Sequence, residues 1–203
     1  TDVIGERIEA SFNAVRKANR KAGADINKAA KALRGKNVES LDIGRSFAND
    51  LKDMGVSISD DLRLIFKGSD VEDLPSVERT LSTVFRRMTG DKKPDAYELH
   101  RMKRFIDEQV SYGKAGEGLT GRSEAALKRL RRNIDDALDD RFPDYKEAND
   151  IYSETIQALD SLQNVAGKRL DLTSENASKQ LGTLSRRVLG NAQSRMNVID
   201  SLA

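Results

Sequence analysis

Apolar side chains recur at intervals of three and four residues from one end of this chain to the other, and runs that alternate apolar with polar residues are almost absent. That spacing stacks successive apolar groups on one side of an α-helix but scatters them over both faces of a strand. The chain is therefore expected to be all-α. Its strictest example is Tyr145, Ala148, Tyr152, Thr155, Leu159, Leu162 and Ala166, closed by Gly167. These residues form a helix-packing seam whose small and polar members suit a broad bundle interface better than a free two-stranded coiled coil.

Reading outward from that seam, Ile4, Ile8, Phe12, Val15, Ala22, Ile26, Ala29 and Leu33 predict one N-terminal helix stopped by Gly35. At about 30 residues it would be roughly 45 Å long, with a bend expected near Gly23. Short patterns at 44–53 (Phe47, Leu51) and 60–66 (Leu62, Ile65, Phe66), divided by Gly55 and closed by Gly68, predict short connector helices. Ser69 and Glu72 have capping-box spacing ahead of a helix face made by Leu74, Val77, Leu81, Val84 and Met88, which ends at Gly90. Leu99, Met102, Ile106 and Val110 mark the next helix; Leu127, Leu130, Ile134 and Leu138 mark another, ending before Pro143. Ala177, Leu181, Leu184 and Val188, then Ala192, Met196, Ile199 and Leu202, predict terminal helices broken at Gly190-Asn191. The expected architecture is an elongated up-and-down helical bundle: an N-terminal region, 1–70, with the long basic helix and connector helices, and an antiparallel bundle, 71–203.

A 203-residue chain that is 37% hydrophobic can build a core, and 33% charged with 5% aromatic residues suits helices carrying thin apolar stripes. The 35 Lys and Arg against 33 Asp and Glu leave a net charge of +2, too little to announce a polyanion by itself. Zero cysteines exclude disulfides, thiolate metal sites and a cysteine nucleophile. No stretch without Asp, Glu, Lys or Arg exceeds the length of 161–167, so no membrane-spanning segment is expected.

Candidate chemistry is sparse. His100 is the lone histidine, without HExxH or a second ligand, and is read as a partly exposed structural residue. Around it Lys103 faces Asp107 and Arg104 faces Glu108 at i,i+4 spacing, which predicts pairing along one helix. Residues 135–160 hold nine acids against two bases, but Asp135, Asp136, Asp139 and Asp140 spread around a helix rather than converge. Upstream, Lys128-Arg129-Leu130-Arg131-Arg132 would pair in part with Asp135 and Asp136. Basic-before-acidic order opposes the helix macrodipole and calls for complementary charges on a neighbouring helix or subunit. Gly113, Gly116, Gly118 and Gly121 lack a following GK[ST] and read as a helix-to-helix turn. The best candidate for contact with nucleic acid or an acidic partner is Arg16, Lys17, Arg20 and Lys21, within a segment, 1–40, holding nine bases against five acids. No catalytic, cofactor-binding or metal-binding residue is assigned, and no small-molecule substrate is expected.

Four phrases in order, DAYELHRMKRFIDEQVSYG, ALKRLRRNIDDAL, FPDYKEANDIYSETIQALDSLQ and LSRRVLGNAQSRMNVIDSL, carry a resemblance over about residues 73–203. Its most distinctive parts are the LHRMKRFID core, Pro143-Asp144-Tyr145 with Ala148-Asn149 and Tyr152, and Asn191-Ala192-Gln193-Ser194-Arg195. The chain resembles helical regions of structural proteins of tailed bacteriophages and prophages, of the internal, ejected or tail-associated kind. The resemblance implies a virion component, assembled in the host cytoplasm, that forms part of a longer polypeptide. It implies association with itself or other virion proteins and supplies no catalytic residue. The competing expectation is a DNA-associated protein that touches genome through the basic N-terminal helix.

Overall fold

The structure, a computed structural model, describes residues 2–110 and 121–167, with side chains for 10–110 and 121–161. The terminal stripes at 177–202 and Gly113, Gly116 and Gly118 lie outside the described residues. Six helices, α1 (Asp2–Lys31), α2 (Leu41–Asp53), α3 (Pro75–Thr89), α4 (Ala96–Gln109), α5 (Gly121–Arg141) and α6 (Pro143–Gly167), make up most of the described chain. The remaining elements are two-residue strands, β1 (Ser57–Ile58) and β2 (Leu64–Ile65). The fold is all-α.

Among the described residues there are two compact units: 2–29 with 144–167, and 30–110 with 121–143. Residue 70, where the sequence places a division, lies inside the second.

In the first unit α1 packs on α6. Val15, Ala22 and Ile26 of the predicted stripe are buried, as are Tyr145, Asn149, Thr155 and Ala158. Asn19 Nδ2 donates to Thr155 Oγ1 at 3.0 Å, and a Cβ built on Gly23 would sit 3.6 Å from the Tyr152 ring. Since the α1 number rises from 19 to 23 while its α6 partner falls from 155 to 152, the helices are antiparallel. Helix α1 runs unbroken for 30 residues through Gly23, where the missing side chain makes room for Tyr152.

In the second unit α5 is the central helix. Pairing of Asp107 with Arg131 and of Lys103 with Asp135 sets α4 antiparallel to it. Pairing of Asp50 with Arg129, and contact between Ser123 and Met54, sets α2 antiparallel to it as well. Leu127, Leu130, Ile134 and Leu138 of α5 are buried, together with Leu99, Met102 and Ile106 of α4, Phe47 and Leu51 of α2, and Leu81 and Val84 of α3. Each such side chain contributes about 1.5–3 kcal/mol relative to exposure, so these stripes dominate the unit's stability.

Two sequence expectations fail here. Residues 60–66 form no helix: β1 and β2 pair antiparallel, Ser57 with Ile65 and Ile58 with Leu64. Ser59 closes the turn, since its hydroxyl donates to the Asp61 carboxylate and accepts from Arg63 N–H at 3.0 Å, with Arg63 C=O 3.1 Å away. Leu62, at φ 59°, takes a left-handed conformation inside that turn. Ser69 and Glu72 do cap backbone donors, with Glu72 accepting from Gly68 N–H at 2.7 Å and Ser69 from Val71 N–H at 3.3 Å. No helix follows them, because Asp73 adopts φ 63° and α3 starts only at Pro75, leaving Leu74 as its N-cap. At Gly55, φ 81°, a side chain would be strained, and its Cβ would crowd Ser69 Cα at 3.2 Å.

Candidate functional site

The densest collection of ionisable groups away from the surface lies between α4 and α5, around the phrase LHRMKRFID. Helix α4 starts at Asp95, whose Oδ1 accepts from Glu98 N–H at 2.8 Å. Its Oδ2 accepts from Gly35 N–H, also at 2.8 Å. Gly35 can present that N–H because it sits at φ 73°, the left-handed region that stops helices. Ala96 N–H bonds Lys36 C=O at 2.9 Å, and the Arg34 guanidinium lies 4.7 Å over the Tyr97 ring. Burial raises the Asp95 pKa, but N–H donors from Glu98, Gly35 and Tyr97 and the Arg34 charge outweigh it and hold the carboxyl below its ordinary value.

One turn along α4, His100 is 3% exposed, not partly exposed as the sequence suggested. The reason is that α4 packs on more than one neighbour, which widens its buried face to Ala96, Leu99, His100, Met102, Lys103 and Ile106. Burial foremost, then the charges of Lys103 and Arg104, push the imidazole pKa down to about 4, against the opposing pull of Asp135 and Asp107. His100 is thus neutral at physiological pH.

Lys103 is 3% exposed, and its ammonium reaches Asp135 at 2.7 Å. Burial lowers its pKa, while the charge and hydrogen bond of Asp135 resist that change. Beside this pair Arg131 Nε and Nη2 clasp both oxygens of Asp107 at 2.6 and 3.2 Å. The same guanidinium lies 3.9 Å from Asp135. The expected pairing of Lys103 with Asp107 along α4 is therefore replaced by a ladder between helices, Lys103–Asp135–Arg131–Asp107. Such a ladder wins because a buried ammonium needs a partner inside the interface, whereas a pair along one helix offers only a few tenths of a kcal/mol. No ion pair joins Arg132 to Asp136.

The rest of the basic run is split between a pair within α5 and a pair to another helix. Lys128 pairs with Glu124 at 2.7 Å, and Arg129 with Asp50 of α2. The neighbouring charges that its polarity calls for are thus Asp50 and Asp107, from helices of the same chain, which local spacing could not reveal. Asp136 and Asp140 are exposed, while Asp135 and Asp139 are half-buried. Among the described residues no group of three or more His, Cys, Asp or Glu is placed to hold a metal ion.

The other two candidate sets lie in the first unit. Tyr145 and Thr155 of the seam are buried, Ala148, Tyr152 and Leu159 half-buried, and the side chains of Leu162 and Ala166 lie outside the described residues. Arg16, Lys17, Arg20 and Lys21 are all exposed on α1, and the Arg16 guanidinium lies 4.3 Å over the Phe12 ring. No described helix is long and apolar enough to cross a membrane. Scans against protein families, curated proteins and solved structures each find no match to this chain.

Proposed function

We propose that the chain is a non-enzymatic structural module of a tailed-bacteriophage particle, of the internal, ejected or tail-associated kind, which works by helix-to-helix association with itself or other virion proteins. The supporting observation is the use made of the ionisable residues in the resembling phrases. Four of them, Lys103, Asp107, Arg131 and Asp135, join α4 to α5 in one ladder. They are engaged in holding two helices in register, a use that fits a component built for packing. The phrase containing Tyr145 and Tyr152 contributes likewise to an interhelical seam, against α1.

The reading is tested by purifying particles on a density gradient from a lysate of the host that produces this chain. Mass spectrometry should find the chain in the DNA-filled particle band in several copies per particle, resistant to a high-salt wash. Recovery only from the soluble fraction, with none in particles, would overturn the assignment.

A further inference from the structure

The outward face of α1 lies opposite the side that packs on α6. Plotted at 100° per residue, the buried positions Val15, Ala22, Ile26 and Ala30 cluster on one side. Arg16, Lys17, Arg20, Lys21, Lys28 and Lys31 fall on the other, and all six are exposed. Between them lie Asn13, Ala24 and Asn27, also exposed and none bulky. The one acid of residues 10–31, Asp25, sits at the margin of the face. From Arg16 to Lys31 the cations line a rod of roughly 22 Å, at about 1.5 Å per residue.

The composition of the face selects its partner. An anionic bilayer would be bound by an amphipathic helix that inserts its apolar side, but the apolar side of α1 is turned to α6, through Asn19 and Gly23. A protein partner would need aromatic or large aliphatic anchors, and the exposed positions from 13 to 31 include none. Single-stranded nucleic acid would need stacking platforms, which are missing for the same reason. What remains is a polyanion recognised by charge alone, with phosphates repeated along a groove wide enough to admit a helix.

We propose that this face of α1 binds the phosphate backbone of duplex DNA without sequence preference, an activity independent of the particle role above. Guanidinium and ammonium groups at i,i+4 spacing, Arg16 with Arg20 and Lys17 with Lys21, stand about 6 Å apart along the axis. That interval suits successive phosphates of one strand. Asn13 and Asn27 are too few and too widely separated to read a base sequence.

The test is fluorescence anisotropy of the full chain with two labelled 30-base-pair duplexes of unrelated sequence, from 50 to 200 mM NaCl. Both duplexes should bind equally, and four to five phosphate contacts should weaken binding by roughly 150- to 500-fold over that salt range. The fourfold variant Arg16→Gln, Lys17→Gln, Arg20→Gln, Lys21→Gln should lose about 100-fold or more at 50 mM while keeping its helical circular dichroism. A control that neutralises exposed cations elsewhere, Arg63→Gln, Lys67→Gln, Lys92→Gln, Lys93→Gln, should retain binding within about threefold. Absence of binding at 50 mM, or equal loss in the control, would overturn the proposal. So would tighter binding to phosphatidylglycerol vesicles or polyglutamate than to duplex at equal salt, which would reassign the face to a membrane or an acidic protein.

Discussion

Because His100 is the sole histidine, the stability of the chain between pH 5 and 7.5 can be tied to one buried side chain. Its pKa is about 4 in the folded protein against an ordinary 6.5. Between those values the unfolded chain holds a proton that the folded chain excludes, so stability rises with pH, is fully present above 6.5 and is lost as pH falls toward 4. At pH 5 the unfolded imidazole is almost wholly protonated and the folded one almost wholly neutral. The difference corresponds to about 2 kcal/mol lost on going from pH 7.5 to pH 5, at 1.36 kcal/mol per pKa unit. Urea unfolding followed by circular dichroism at 222 nm should show that drop in the wild type, and His100→Gln should remove most of it. Carboxylates with lowered pKa values titrate mainly below this window, and the difference between wild type and variant cancels them. A wild-type stability that is flat from pH 7.5 to 5, or an undiminished slope in the variant, would refute the claim that His100 is buried in a site hostile to its cation.

Two further perturbations follow from the geometry. Asp95→Ala removes the acceptor for both Glu98 N–H and Gly35 N–H, and thermal melts at pH 7 should show a loss of about 1–2 kcal/mol. In the wild type that contribution disappears as pH falls through the lowered Asp95 pKa, so the gap between wild type and variant should close in strong acid. Gly23→Ala should stabilise the chain by about 0.5–1 kcal/mol, because the added methyl meets Tyr152 at 3.6 Å, an ordinary contact, within a helix interior that penalises glycine. A lowered melting temperature would show that α1 and α6 approach more closely than described.

Long helices were legible in the sequence. The stripe of α5 needs only three-and-four spacing, and Leu127, Leu130, Ile134 and Leu138 are buried as that spacing requires. The 30-residue α1 was legible for the same reason, as were the breaks at Gly35 and Gly55, both at positive φ. Residues 60–66 misled because Leu62, Ile65 and Phe66 imitate helical spacing although the first two are not used for burial. Leu62 and Ile65 are 53% and 46% exposed, and the hydroxyl of Ser59 directs the local backbone instead. The partners of Lys103 and Arg131 were hidden because they lie 32 and 24 residues away. Spacing along one helix reveals only the neighbour four residues on. The burial of His100 was hidden likewise, since a stripe on α4 cannot tell how many helices will cover it.

The central claim is that the buried ionisable residues of α4 and α5 serve to hold the two helices together, and a double-mutant cycle at Lys103 and Asp135 tests it most directly. Asp135→Ala leaves a buried ammonium beside the core and should cost about 3 kcal/mol, whereas Lys103→Met with Asp135→Ala should recover most of that loss, a coupling of about 1.5 kcal/mol or more. If each single replacement costs under about 0.5 kcal/mol and the two simply add, the pair does not secure the interface and the account fails.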